Sequence, residues 1–207
     1  MYYSVGAKEN KAEISVKHSK FIAFCSRVED EEQAEIFVKA IKKRYTDATH
    51  APYAYLLGER ADKSRASDDG EPSGTSGVPI LETIKKAGVT NVAVVVVRYF
   101  GGIKLGTGGL ARAYGDAAEE AIKAAGKVAF ELCILFTIPC PYSDLASVMN
   151  QVFLFDGSVR NTDYGDCVTL EAAIPSDRKN AFLSGLADAT SGRVVAEEDI
   201  EGYFEVK

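Results

Sequence analysis

Val92-Ala93-Val94-Val95-Val96-Val97-Arg98-Tyr99-Phe100 is the stretch that decides the fold. It is an apolar, largely β-branched run of strand length with no polar side until Arg98. A strand with no polar side must be covered on both faces, so the run predicts a central strand. Immediately after it comes Gly101-Gly102-Ile103-Lys104-Leu105-Gly106-Thr107-Gly108-Gly109. A helix is then predicted over 110–125, with Ala113, Tyr114, Ala117, Ala121 and Ile122 facing inward and Gly126 as its stop.

Upstream, Pro79 in a first turn and Gly88 as a stop bracket a short helix containing Leu81 and Ile84. Residues 59–77 break into charged and turn-forming residues and read as an exposed loop. Residues 51–57 alternate aromatic and small side chains, a strand pattern. Further back, Asp30 followed by Gln33 is a capping-box variant that opens a helix with Ala34, Phe37, Val38 and Ile41 on one face. Lys42, Lys43 and Arg44 close it, where cations suit the helix dipole. Ile14 and Val16, then 21–28, supply two more strands.

Downstream of residue 130 the pattern is strand 132–138, helix 144–155, hairpin strands 159–162 and 167–174 around Tyr164-Gly165-Asp166, helix 177–189 and strand 194–204. That βαββαβ order is the ferredoxin-like arrangement. The fold class predicted is α+β, with domains 1–129 and 130–207. Charge changes at the same place. The first 129 residues carry 19 Lys+Arg against 17 Asp+Glu, and the remainder 5 against 13. An anionic partner would therefore meet the first half and be repelled by the second.

Hydrophobic residues at 46% and charged residues at 26% are ordinary globular values and argue against a disordered chain. No stretch is long and apolar enough to span a membrane, and no charged-then-apolar leader opens the chain, so a cytoplasmic protein is expected. Four scattered cysteines without C-x-x-C spacing read as reduced thiols. With two histidines, no metal centre and no cofactor are expected.

Two segments can carry chemistry. In Ser67-Asp68-Asp69-Gly70-Glu71-Pro72-Ser73-Gly74-Thr75-Ser76-Gly77, the hydroxyls of Ser73 and Thr75 can donate to an oxyanion. Asp68, Asp69 and Glu71 can hold a cation or pair with arginines. In the second segment, Arg98, Gly101, Gly102, Lys104, Gly106, Thr107, Gly108, Gly109 and Arg112 form a strand–glycine–helix crossing whose free amides and cations suit an anion such as RNA phosphate. The bland alternatives are a solvated turn and a tight crossing. His50 at a strand start is a candidate polar partner, and no catalytic residue can be assigned. Gly106-Thr107-Gly108-Gly109-Leu110-Ala111 matches G-x-G-x-x-A literally, but the glycines do not follow the strand directly, so a dinucleotide site is rejected.

Thr49-His50, Tyr53-Ala54-Tyr55, residues 67–75 and residues 98–110 together resemble the IMPACT family in its bacterial YigZ-type branch. The resemblance implies an N-terminal two-layer α/β domain like the second domain of a small-subunit ribosomal protein and domain IV of elongation factor G, with a left-handed crossover. It implies a C-terminal half like domain V of that factor. The family's eukaryotic relative is a translation regulator with a different accessory domain. Val78 departs from the Lys or Arg that relatives often carry there. Three functional classes follow: a non-catalytic binder of RNA, the ribosome or the translation machinery; an enzyme on a phosphorylated or carboxylated small molecule with a cation on Asp68, Asp69 and Glu71; or a protein-interaction module without a ligand site.

Overall fold

A computed structural model describes residues 1–206. It is mixed α/β, with two sheets and five α-helices, and its contacts cluster into two compact units, Tyr2–Ala129 and Phe130 onward.

The first unit holds β1 (Tyr2–Val5), β2 (Asn10–Val16), β3 (Ser19–Arg27), α1 (Glu31–Arg44), β4 (Tyr53–Leu57), β5 (Lys63–Ser67), α2 (Gly77–Ala87), β6 (Val92–Tyr99) and α3 (Thr107–Ala125). Its sheet runs β2-β3-β6-β4-β5, every neighbouring pair antiparallel. The decisive run is β6, at the centre, buried at every position except Tyr99. Val92, Val94 and Val96 meet Ile80 and Ile84 of α2 and Ala113, Tyr114 and Ala117 of α3. Val95 and Val97 point the other way, into a cluster with Phe24 and with Val38 and Ile41 of α1. Helices thus lie on both faces, which corrects the expected two-layer arrangement. The reason is the strand itself: a sheet face lined by Val95, Val97 and Phe24 left in water would forfeit about 1.5–3 kcal/mol per large side chain.

The helix signals translate into geometry. The Asp30 carboxylate accepts from the Gln33 amide at 2.8 Å, and the Gln33 side chain accepts from the Glu29 amide at 3.1 Å, one residue earlier than in a standard capping box. Gly88 closes α2 in the left-handed region at φ 64°. α3 begins at Thr107, three residues before the expected 110, because the Leu110 amide already reaches the Gly106 carbonyl at 2.9 Å. The stretch 59–77 is not all exposed loop. It contains β5, paired along β4, and buried Glu71, Thr75 and Ser76. An edge strand with a polar sequence has no hydrophobic period to betray it.

The second unit comprises β7 (Lys127–Cys140, which begins just before the boundary), α4 (Leu145–Leu154), β8 (Ser158–Tyr164), β9 (Val168–Pro175), a 3-10 turn at Ser176–Arg178, α5 (Lys179–Thr190) and β10 (Glu197–Val206). β7 is flanked by β9 and β10, and β8 pairs with β9 on its far side, giving β10-β7-β9-β8. Phe136, Ile138, Leu170 and Ile174 from the sheet close over Val148 and Val152 of α4 and Phe182 and Leu186 of α5. All four cysteines are free thiols, three of them buried.

Candidate anion-binding cleft

The acidic segment first builds the start of α2. The Asp68 carboxylate accepts from the amides of Gly74 at 2.8 Å, Ser76 at 3.0 Å and Gly77 at 2.9 Å, and from the Ser76 hydroxyl at 2.8 Å. The Ser76 and Gly77 amides are donors a helix leaves unpaired at its first turn, and the Gly74 amide belongs to the turn that leads into it. Burial would raise the Asp68 pKa, but the four hydrogen bonds outweigh it and hold the carboxyl below the usual aspartate range. Asp69 turns elsewhere. One oxygen pairs with Lys42 and the other accepts from the Ala51 amide at 2.8 Å. Its carbonyl lies 2.9 Å from His50 Nδ1. A carbonyl only accepts, so that nitrogen carries the proton and a neutral ring keeps its lone pair at Nε2.

Glu71 goes inward. Its Oε1 accepts from Arg98 Nη1 at 2.6 Å and from the Tyr114 hydroxyl at 2.7 Å, with the Arg98 and Glu71 side chains only 7% and 3% exposed. The ring of Tyr114 meets Phe21 edge-on at 5.1 Å, and Arg98 also lies 5.5 Å from the Phe21 ring. Burial, then the bond to Glu71, drives the Tyr114 pKa far above its ordinary value, so the hydroxyl stays a donor. Arg98 is thereby neutralised and tied down. Its Nη2 has a long 3.5 Å contact to Ser19 Oγ, which also accepts from the Gly101 amide at 3.2 Å, and its buried Nε has no partner among the described residues.

Around this network opens a cleft of about 470 Å³, within the usual range for ligand sites. Thr49, His50, Glu71, Pro72 and Arg98 line it together with Phe100, Lys104, Gly106 and Thr107. The two segments singled out in the sequence therefore meet, with His50 beside them. Gly106, at φ 74°, caps α3 without any side-chain hydrogen bond, so the first amides of α3 lack the carboxylate that α2 has in Asp68. Lys104 is exposed and has no ion pair among the described residues.

Other candidates fall away from the cleft. Arg112 is exposed on α3 and lines grooves on other sides of the helix, next to Asp116, rather than this cleft. Thr75 is buried with its hydroxyl donating to the Pro72 carbonyl at 2.6 Å, so it is committed to the turn. Ser73 is exposed outside the cleft lining. Gly101 serves close packing, since a Cβ there would lie 2.1 Å from the His18 carbonyl carbon. Gly102 and Gly108 are exposed, and Gly109 packs on Leu105. Of the two roles open to the acids, a shared cation or pairing with arginines, Glu71 takes the second with Arg98; Asp68, Asp69 and Glu71 have three different sets of partners, and no group of three His, Cys, Asp or Glu able to hold a metal occurs among the described residues. Two residues escaped the sequence reading. In the sequence Phe100, 47% exposed at the cleft, reads as the end of the strand, and Tyr114 reads as helix core although a buried phenol requires a partner.

Both units of the chain are similar to known proteins. Residues 17–122 match the Impact N-terminal domain, and residues 138–193 match a domain of unknown function, DUF1949. IMPACT family member YvyE of Bacillus subtilis is 37% identical over 204 residues, covering 99% of this chain and 94% of that protein. IMPACT family member YigZ of Escherichia coli is 35% identical, covering 86% and 88%. Protein IMPACT of Danio rerio is 32% identical over 55% of this chain and 41% of its own length. A crystal structure described as that of a hypothetical protein superposes with a TM-score of 0.61 at 31% identity, covering 96% and 97% of the two chains. No helix among the described residues is long and apolar enough to cross a membrane.

Proposed function

The chain belongs to the IMPACT family, in its YigZ-type branch, and from that premise we propose that it is a cytoplasmic, non-catalytic binding protein for RNA of the translation machinery. The observation that carries this reading is the cleft, where an exposed Lys104 without an ion pair sits beside an uncapped helix start while every nearby carboxylate is already engaged. An anion entering there gains a charge-assisted hydrogen bond and meets no free acid. The excess of cations in the first 129 residues and of acids beyond them supports the same polarity. The order β10-β7-β9-β8 on a βαββαβ succession supports a ferredoxin-like second domain, and the proposed likeness to elongation factor G domains IV and V goes with it. Residues 1–129 and 130–207 are taken as separately folding domains, which expression of each half alone tests by whether it unfolds cooperatively.

Co-sedimentation of the full chain with ribosomes tests the reading. Pelleting at low salt that is lost at high salt is expected, because displaced counterions make phosphate binding salt-dependent. No pelleting at low salt refutes it. Pelleting indifferent to salt moves the chain to the protein-interaction class.

A further inference from the structure

Three further features of the cleft say what an RNA would place there. Phe100 presents a half-exposed ring on one wall, with the Arg98 guanidinium 5.4 Å from its centre. Arg98 itself is 6% exposed and lines the floor, and its Nε–H has no acceptor among the described residues. A buried guanidinium N–H without an acceptor can donate to an oxygen of a ligand that enters the cleft. His50 has its Nδ1 proton committed to the Asp69 carbonyl, and in the neutral ring Nε2 is an acceptor that suits a sugar hydroxyl. With Glu71 cancelled by Arg98, the charged side chains of the lining net to the single positive charge of Lys104, enough for one phosphate group. A cation, an uncapped helix start, a flat aromatic face and a hydroxyl acceptor in one concavity are the complement of a nucleotide. A bare anion would use only the first two.

We propose that the cleft is a single-nucleotide subsite for single-stranded RNA, with the phosphate on Lys104 and the first amides of α3 and the base stacked on Phe100. This rests on the RNA-binding reading above and adds to it a stacking wall, a register of one nucleotide and a requirement for unpaired bases. A base held in a duplex cannot lay its face on Phe100, so an intact helix is excluded from the subsite.

Amide NMR of the full chain, titrated with inorganic phosphate and separately with a six-nucleotide oligouridylate, tests the proposal. Both probes are expected to shift the amides of Gly106, Thr107 and Gly108 saturably, the oligonucleotide at much lower concentration. Lys104→Ala should weaken both by roughly tenfold. Phe100→Ala should weaken the oligonucleotide by roughly tenfold and leave phosphate unchanged, since stacking is what it removes. Phe100 is half exposed, and the spectrum of each variant reports directly whether its fold survives. Equal weakening of both probes by Phe100→Ala, or oligouridylate no tighter than phosphate (an adventitious ion only), overturns the subsite. So do α3 amides that move with neither probe. If the Lys104→Ala/Phe100→Ala double variant still sediments with ribosomes in the salt-dependent way, the subsite is wrong and the RNA-binding reading stands. If the amides respond as expected while the chain never sediments, the subsite stands and the ribosome is the wrong target.

Discussion

Arg98→Met is the sharpest perturbation of the buried network. It deletes the guanidinium and leaves the Glu71 carboxylate, 3% exposed, with the Tyr114 hydroxyl as its one remaining side-chain partner. Removing one member of a buried ion pair costs about 3–5 kcal/mol, because the survivor's charge stays desolvated. For a domain of this size each kcal/mol lowers Tm by about 3 °C, so the first unit should melt about 10–15 °C early. Tyr114→Phe removes only the neutral donor to Glu71 and should cost about 1.5–3 kcal/mol. Glu71→Leu in the Arg98→Met background removes the stranded charge but leaves the buried Tyr114 hydroxyl without its acceptor, so part of the lost stability should return. Differential scanning calorimetry of the four proteins at neutral pH should place wild type highest, Arg98→Met lowest, and Tyr114→Phe and the double variant between them. An Arg98→Met protein melting within about 2 °C of wild type would refute the claim that this pair is a desolvated structural unit. A double variant no more stable than Arg98→Met alone would refute it as well.

The remaining expectations concern the cap, alkaline pH and the thiols. Asp68→Ala leaves three amides at the start of α2 without their acceptor and should cost about 2 kcal/mol, at the upper end for helix caps, read as a lower urea midpoint with an unchanged m-value. An unchanged midpoint would mean that water replaces the carboxylate without loss. Because the folded pKa of Tyr114 is raised, the unfolded chain ionises this tyrosine from about pH 10, its ordinary value, while the folded chain keeps the proton. Its contribution is therefore whole below pH 10 and is lost as pH rises above it. Urea titrations from pH 8 to 11 should show wild type losing more stability than Tyr114→Phe, and parallel slopes would contradict this. Burial pushes the Cys25 thiol up to about 12, and burial followed by the Glu131 charge pushes Cys133 up to about 11, while Cys140 is raised by burial and Asp144. A disulfide reagent at pH 8 should thus titrate Cys167 quickly in the native chain and all four thiols in denaturant. More than one fast native thiol would show that the interior opens.

What could be read from the sequence was what local pattern dictates. The run 92–97 announced a strand covered on both sides, and the structure buries it between α1 and the α2–α3 pair. Asp30 and Gly88 marked helix ends because capping needs only neighbours in sequence. The stretches 67–77 and 98–112 stand out by composition, and residues of both line one cleft, although Arg112 does not. The destinations of the carboxylates were illegible. Glu71 finds Arg98 27 residues away and Tyr114 43 away, and Asp69 finds Lys42 27 residues back. Nothing in a linear reading distinguishes three acids gathered on a metal from three acids sent to separate partners. Arg98 and Lys104 looked equivalent as cations for the same reason. A strand covered on both faces buries one, and the glycine turn exposes the other.

β5 has a consequence of a different kind. It is the terminal strand of its sheet, so one side of its backbone has no partner strand, an arrangement that invites pairing between molecules. Its sequence, Lys63-Ser64-Arg65-Ala66-Ser67, offers such a pairing little to bury, and its first three residues are exposed, Arg65 while paired with Glu35. A second copy docking there in register would set Lys63 against Lys63 and Arg65 against Arg65. The strand that hydrophobic periodicity could not detect is undetectable for the same reason that it protects the chain from edge-to-edge aggregation.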